Sequence, residues 1–384
     1  MSSSIVDSQL HRLLRVHRDG GKKLRIVEYL VYADCWFLGS VEGWDLPFQI
    51  DNLVPAYAPE RAMCPRLVLR LIESDELADL VGADDLKTDD SRFSGESLHD
   101  EILSFASLVL DCRLVSGGSF REFSTDTHDF GRPDGMWCGN ASTGSGSQRD
   151  RIRVPRLLGS RDLRQLVPRF TCFRDQAQPP SPITVARVAR LFRTAAWYAE
   201  IEPDVGWVLL VSALEKASAA WDSGQHDRAE VFRNEHSELA RRIEECDANL
   251  LDRISELVVD RKTLGKKLRE FIANYCTAPV GTGESAGVGS IDWSPESLRA
   301  IGKFVYDARS KYLHEGRAFP PAVSEPPLRV PDSNPVRLTQ RPCIGLAQTQ
   351  PSARWATGDL PILLDAFFHL AQSSLNNWIA RPGK

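Results

Sequence analysis

The hydrophobic pattern of the chain changes near residue 175, and this change constrains the fold more than any other feature. Upstream segments such as LRIVEYLVYADCWFLGSVEG are rich in branched and aromatic residues and are punctuated by glycine, which is typical of β-strands. Downstream segments repeat apolar residues every three or four positions, which predicts amphipathic helices. The polar, proline-containing run at 176–182 indicates a linker between them. We therefore predict an α+β chain of two domains, a mixed and β-rich domain at 1–175 followed by an all-α helical bundle at 183–384.

Two further segments of the first half have recognisable patterns. CPRLVLRLIES alternates, which predicts a second strand with Leu67, Leu69 and Leu71 on one face. SLHDEILSFASLVLDCRLVSGG has apolar residues at helical spacing, so we expect a helix that ends at Gly117 and Gly118. The following residues, SFREFSTDTHDFGRPDG, are expected to form an exposed loop.

The second half predicts a series of helices that end in one long C-terminal helix. Apolar residues at helical spacing mark these segments: Val185 to Ala196, DVGWVLLVSALEKASAAWDSG, Leu239 to Leu257, GKKLREFIANYC and LPILLDAFFHLAQSSLNNWIA. Between the last two, Ser294 is a good N-cap with Pro295 in the first turn, and Gly316 is a natural C-cap. We expect Leu298, Ile301, Val305, Ala308 and Tyr312 to form the buried stripe of that helix.

Composition excludes some function classes. The net charge is -5 and the sequence pI is about 6.0, which argues against a broad electrostatic surface for duplex DNA. No stretch approaches the ~20 apolar residues that span a bilayer, and the N-terminus lacks the apolar run of a signal peptide. We therefore expect a cytoplasmic protein that does not contact membranes.

No cofactor or metal is expected from the sequence. The eight cysteines are scattered without a CxxC pair, so we interpret them as reduced and mostly buried thiols. The segment STDTHDFGRPDG contains Asp126, His128, Asp129 and Asp134 and could bind a metal, but a solvated loop is the preferred interpretation.

The segment YDARSKYLHEG, residues 306–316, carries the candidate site. Arg309 flanks the apolar stripe, and its guanidinium can bind two phosphate oxygens at once. His314 lies at the helix end, where exposed carbonyl groups favour a protonated imidazole that can exchange protons. A net charge of about +2 is expected here, from Lys303, Arg309, Lys311 and Arg317 against Asp307 and Glu315.

The five-residue spacing between Arg309 and His314 is a geometric difficulty. Five helical residues rotate by about 500°, so the two side chains diverge by roughly 140° on an ideal helix. They converge only if the turn before His314 loosens or if two copies of the helix meet. The second route predicts a dimer with a composite pocket.

The context VYDARSKYLHEG, with Arg-x4-His near the end of a bundle helix followed by Glu-Gly, resembles the HEPN superfamily and in particular its ApeA-like group. The segment LLVSALEKA is similar to the acidic helix of that group, and Glu215 matches its acidic position. The resemblance covers roughly residues 183–384. It implies a helical bundle that dimerises, and a metal-independent endoribonuclease of the kind found in phage defence and toxin systems.

The resemblance also implies roles for individual residues. His314 would act as general acid or base on the 2'-hydroxyl or the leaving oxygen, and Arg309 would hold the scissile phosphate, giving a 2',3'-cyclic phosphate and a 5'-hydroxyl. Glu215 would orient Arg309. Ser310 stands where active members often have asparagine. Lys303, Lys311 and Tyr312 are candidate RNA contacts.

Two other interpretations remain open. The first is a catalytically inactive HEPN scaffold that acts as a binding or assembly module. The second is an unrelated helical regulator that binds a small ligand. Under the leading interpretation the partners are RNA, with tRNA or another single-stranded RNA as the candidates, a second copy of the chain, and a phage-derived trigger. The N-terminal domain would then sense that trigger or position RNA.

Overall fold

The computed structural model describes residues 7–53, 64–74, 91–131, 160–175, 180–221, 232–233, 236–246, 250–251, 253–255, 264–278, 291–325, 328–329, 338–339 and 346–381. The chain divides into two compact units. The first is Met1–Ala213 with Val330–Arg337, and the second is Leu214–Arg329 with Leu338–Lys384.

The first unit is built on a four-stranded antiparallel sheet. Its strands are β1 (Lys23–Ala33), β3 (Phe48–Asn52), β4 (Cys64–Ser74) and β5 (Leu114–Phe123), in the order β3-β4-β1-β5. A short β2 (Trp36–Leu38) pairs in parallel with β6 (Ser160–Asp162). The strand predictions for β1 and β4 are confirmed, although β4 buries the side chains of both of its faces instead of one, since Val68 and Arg70 are as inaccessible as Leu69.

Two helices, α2 (Leu98–Leu110) and α3 (Leu166–Arg174), pack on one face of this sheet. A further helix, α1 (Gln9–Arg18), packs against both of them. The ring of Phe170 lies 4.8 Å from Phe48 of the sheet and 4.7 Å from Phe105 of α2, so aromatic packing joins three elements. His11 of α1 is buried, and its ring lies 5.4 Å from that of Phe173.

The predicted helix through Gly117 and Gly118 is wrong in its second half. α2 ends at Leu110, and Asp111 takes a left-handed conformation with φ 49°. Residues from Leu114 onward form β5, which includes both glycines and the first residues, 119–123, of the segment expected to be a loop. Pairing with β1 supplies hydrogen bonds that the helical spacing of side chains does not predict.

A helix of the predicted bundle belongs to the first unit. α4 (Pro182–Tyr198) has the predicted buried stripe, and it packs against α2. Arg187 donates to the carbonyl of Phe93, Arg190 to that of Ser94, and Arg193 pairs with Glu96 at 2.7 Å. The predicted domain boundary stays a prediction, because residues 176–179 lie outside the described residues.

The second unit is mostly helical instead of all-α. α5 (Pro203–Ala220) enters it at Leu214, and these helices follow: α6 (Ser237–Cys246), α7 (Leu264–Tyr275), α8 (Pro295–Glu315), α9 (Pro321–Ser324) and α10 (Leu364–Ala380). Four short strands lie between α9 and α10: β7 (Leu328–Arg329), β8 (Leu338–Thr339), β9 (Gln348–Gln350) and β10 (Ala353–Trp355). α7 packs against both α8 and α10.

The stripe predicted for Leu239 to Leu257 is only partly confirmed. α6 is helical over the first part, and residues 250–251 and 253–255 are helical too. However, Leu239 is 51% exposed, and the buried cluster is formed by Phe232, Ala240 and Leu251. Leu257 lies outside the described residues.

Both predicted ends of α8 are confirmed. The Ser294 side chain accepts a hydrogen bond from the Ser297 N–H at 3.3 Å, and Pro295 occupies the first helical position. At the other end Gly316 has φ 67°, and its N–H donates to the carbonyl of Tyr312 at 3.1 Å. These local signals fix the length of the helix that carries the candidate site.

Replacing Ser294 by alanine removes the N-cap acceptor of α8. We expect Ser294→Ala to lower the free energy of unfolding of the second unit by about 1 kcal/mol. Urea unfolding followed by circular dichroism would measure this change. Ser324→Ala is a suitable control, since it also truncates a serine but lies outside the cap. Equal stability of Ser294→Ala and the wild type would contradict the capping role.

Candidate functional site

Close packing against α7 fixes the rotation of α8. A Cβ added at Gly302 would lie 3.2 Å from the side chain of Arg269 and 3.3 Å from its Cα, so the two helix backbones approach closely there. Arg299 donates from Nε to Glu270 Oε1 at 3.0 Å. A glycine inside a helical pattern is the sequence signal from which this contact could have been predicted.

The two halves of α8 differ in burial. Leu298, Ile301 and Val305 are buried, as the stripe predicts. From Tyr306 to the end of the helix no residue is fully buried, and Ala308 and Tyr312 are only half-buried. Leu313 is 49% exposed. The part of α8 that carries the candidate residues is therefore largely accessible in the single chain.

Arg309 and Glu215 form an ion pair inside the second unit. Arg309 Nη2 lies 3.1 Å from Glu215 Oε2, and the two side chains are 25% and 14% exposed. Burial raises the pKa of the Glu215 carboxyl, and the positive charge of Arg309 opposes that rise. Among the described residues no acceptor reaches the buried Nε of Arg309. The guanidinium is therefore held at one nitrogen and retains N–H groups that can donate to an anion.

His314 lies in the last turn of α8 and is exposed. The chain turns at Gly316, where the Arg317 N–H donates to the carbonyl of Lys311 at 3.3 Å. The position at a helix C-terminus agrees with the sequence analysis. An exposed imidazole at this place is accessible to a substrate that approaches from solvent.

The structure separates Arg309 from His314 around the helix. α8 stays α-helical through Glu315, so the loosened turn that would let the two side chains converge is not found. On a regular helix they diverge by roughly 140°. One copy of α8 therefore presents the guanidinium and the imidazole in different directions.

The remaining predicted residues surround this helix end. Ser310 is half-buried and Lys311 is exposed. The ring of Tyr312 lies 6.0 Å from that of Phe319. Lys303 Nζ is 2.6 Å from Asp307 Oδ2, one turn along the same exposed face.

The two acidic residues that the expected net charge already subtracts are each paired with a basic neighbour. In addition to the pair formed by Lys303, Arg317 Nε lies 2.8 Å from Glu315 Oε2. Both pairs are largely exposed, so each neutralises charge without contributing much stability. The positive groups that remain for an anion are Lys311 and the open part of the Arg309 guanidinium.

Within the described ranges, no group of three or more histidine, cysteine or acidic residues could hold a metal ion. Asp126, His128 and Asp129 are described, and the Asp129 side chain accepts a hydrogen bond from the Gly131 N–H at 2.8 Å. Asp134 lies outside the described residues.

Of the five free cysteines that the structure describes, Cys35 and Cys112 are buried, whereas Cys172 and Cys246 are exposed, so the prediction of mostly buried thiols holds for only part of this set. No helix in the described part of the chain is long and apolar enough to cross a membrane.

Comparisons with family models, curated proteins and solved structures gave no match. The case for a function therefore depends on the residues themselves, on their geometry and on the resemblance noted in the sequence.

The ion pair between Arg309 and Glu215 should be measurable in a double-mutant cycle. We expect Glu215→Gln and Arg309→Met to show a coupling energy of about 1 kcal/mol, because each partner is mostly buried. The coupling should weaken as pH falls through the raised pKa of Glu215, since the neutral carboxyl no longer attracts the guanidinium. Urea unfolding of the four proteins at two pH values would measure it, and additive effects at neutral pH would contradict the pairing.

Proposed function

We propose that the chain is a metal-independent endoribonuclease of the HEPN type that cleaves RNA by attack of the 2'-hydroxyl on the adjacent phosphate. The observation that carries the proposal is the partly buried guanidinium of Arg309, held by Glu215 at 3.1 Å, on the helix that ends with an exposed His314. A phosphate-binding cation and a group that can exchange protons are the two parts that this reaction needs.

Each residue has a defined task in this mechanism. Arg309 binds the scissile phosphate and stabilises the negative charge that develops in the transition state. His314 removes the proton from the 2'-hydroxyl or donates one to the departing 5'-oxygen. Glu215 keeps the guanidinium in place, and Ser310, Lys311, Tyr312 and Lys303 contact the RNA. The products are a 2',3'-cyclic phosphate and a 5'-hydroxyl, so atoms and charge balance without a metal or a cofactor.

The two groups act together when two copies of the chain meet. Because α8 is helical through Glu315, Arg309 of one copy and His314 of the same copy point in different directions. A twofold dimer brings the guanidinium of one copy near the imidazole of its partner, in two equivalent pockets. The exposed end of α8, including the half-exposed Leu313, supplies apolar surface for such a contact.

The biological setting that we propose is defence against phage, by abortive infection or as a toxin in the cytoplasm. The first unit would restrain the nuclease until a phage-derived trigger arrives. A second candidate function is a catalytically inactive HEPN scaffold. Two observations favour it, namely Ser310 in the position where active members often have asparagine and the pairing of Lys303 and Arg317 with acidic neighbours.

RNA cleavage by the purified full chain in EDTA tests the proposal. We expect mixed tRNA or single-stranded RNA to be cut with 2',3'-cyclic phosphate ends. His314→Ala should lower the rate about 10²–10⁴-fold, and Arg309→Ala about 10²–10³-fold. His128→Ala and Arg317→Ala are matched controls, because His128 is an exposed histidine of the first unit and Arg317 is an exposed arginine beside the site. Loss of cleavage in EDTA, or equal loss in the controls, would contradict the mechanism.

Mixing the two inactive variants tests the composite pocket. A dimer of one Arg309→Ala copy and one His314→Ala copy contains one pocket with both native groups, so equal mixing should restore about one quarter of the wild-type rate. The rate of RNA cleavage after subunit exchange measures this. If both groups acted within one chain, the mixture would stay inactive while each variant alone still dimerised.

A further inference from the structure

One face of the sheet in the first unit carries a row of charged side chains. Because side chains alternate along a strand, Glu28 lies on the face opposite to Tyr29, whose ring stacks on that of His99 in α2. Glu28 is paired in register with Arg70 on one side and with Arg121 on the other. It is completely buried, and its two oxygens accept from Arg70 Nε at 2.7 Å and from Arg121 Nε at 2.6 Å. We call this the charged face of the sheet.

Arg66 lies on the same face, two strand repeats away from Arg70 and separated from it by Val68. It is only 3% exposed, and its guanidinium carbon lies 3.9 Å from the centre of the Trp36 ring. Among the described residues no acceptor reaches its Nε or its Nη1. Its backbone carbonyl accepts from the N–H of Leu53, and Leu53 belongs to a buried apolar cluster with Leu30 and Val68.

The acidic side chains described on the charged face are already paired with arginines. Both oxygens of Glu28 are bound to arginines. Asp51 is paired in register with Val68, between Arg66 and Arg70, and its carboxylate bonds to Arg70. Arg121 Nη2 is also buried without an acceptor in the described part of the chain. Among the described residues, three arginines therefore share two carboxylates, and Arg66 contacts an aromatic ring but no acidic group.

A buried guanidinium without a counter-charge is costly, because neither water nor an acidic group compensates for its desolvation. Buried polar groups in proteins are normally hydrogen-bonded, so unpaired donors of this kind indicate a missing acceptor. An anion is the acceptor that supplies both the hydrogen bonds and the charge. Guanidinium groups bind phosphate and carboxylate oxygens with particular strength.

We propose that Arg66, stacked on Trp36, binds a phosphate group on the charged face of the sheet. Phosphate compensates better than a carboxylate, because it carries more negative charge at neutral pH and no acidic group of the described residues pairs with Arg66. Trp36 is 49% exposed, so its ring also offers an accessible surface beside the phosphate. This site lies in the first unit and does not depend on the proposed nuclease activity.

Titration calorimetry of the full chain with inorganic phosphate tests the site, with acetate at equal ionic strength as the ionic control. We expect saturable binding of phosphate and a rise in Tm of about 5 °C at a phosphate concentration of about 100 Kd. Arg66→Met should weaken binding at least about tenfold, since it removes the charge and the donors. Arg25→Met is the matched control, because Arg25 is an exposed arginine of the same sheet with two acidic partners, and it should bind phosphate like the wild type.

Two outcomes would overturn the proposal, namely no saturable phosphate binding by the wild type, or undiminished affinity in a folded Arg66→Met variant. Circular dichroism shows whether that variant folds. If it does not, Arg66→Lys keeps the charge but not the planar guanidinium donors, so reduced affinity supports the site and undiminished affinity refutes it.

Nucleoside monophosphates distinguish the two sources of the phosphate group. If nucleoside monophosphates bind more tightly than inorganic phosphate, and Trp36→Leu removes the difference, the ligand is a nucleotide whose base stacks on the Trp36 ring. If the two affinities are equal, the ligand is the free phosphate anion. In both cases the dependence on Arg66 remains the measurement that decides whether the site exists.

Discussion

The candidate site depends on the regular, unbroken helical geometry of α8. Its start at Ser294 and its end at Gly316 set the length of the helix, and the close approach at Gly302 sets its rotation against α7. With length and rotation fixed, the guanidinium of Arg309 faces Glu215, and the imidazole of His314 emerges roughly 140° away. A single chain cannot bring the two groups together while α8 remains a helix through its last turn. A catalytic arrangement of both groups therefore requires a second copy of the helix.

Local signals predicted the parts of the fold that local interactions determine. The caps of α8 lie where the sequence placed them, because a serine side chain and a left-handed glycine satisfy helix ends without help from distant residues. The change from α2 to β5 could not be found in this way. The apolar spacing up to Leu110 is helical, but Asp111 turns with φ 49°, and pairing of Leu114 with Ala33 then extends the chain. Partners distant in sequence decide that outcome, and spacing does not reveal them.

In the candidate site too, neighbouring residues predict some features, whereas contacts between residues distant in sequence determine others. The sequence placed Arg309 beside the apolar stripe and His314 at the helix end, because helical phase is a local property. The resemblance selected Glu215, yet spacing alone would not have brought an acidic residue of α5 to within 3.1 Å of Arg309. The neutralisation of Lys303 by Asp307 was accessible from the sequence, since residues four apart face each other on a helix. The expected charge of about +2 already subtracted Asp307 and Glu315, so it is lowered only by Glu215, a residue outside the segment that pairs with Arg309.

Arg309 and Arg66 illustrate how burial and pairing suit an arginine to different anions. Arg309 is a quarter exposed and already has a carboxylate partner, so an anion that binds there must compete with Glu215. A large polyanion that also contacts Lys311 can displace the Glu215 carboxylate from part of the guanidinium and still dissociate afterwards. Reversible binding of this kind is what repeated catalytic turnover requires. Arg66 is almost fully buried, and the acidic residues described on its face, Glu28 and Asp51, are bound to other arginines. No acidic side chain of the described residues competes with an anion for Arg66, so dissociation of the anion would leave the guanidinium unpaired. This position therefore favours a small ligand that remains bound and stabilises the first unit.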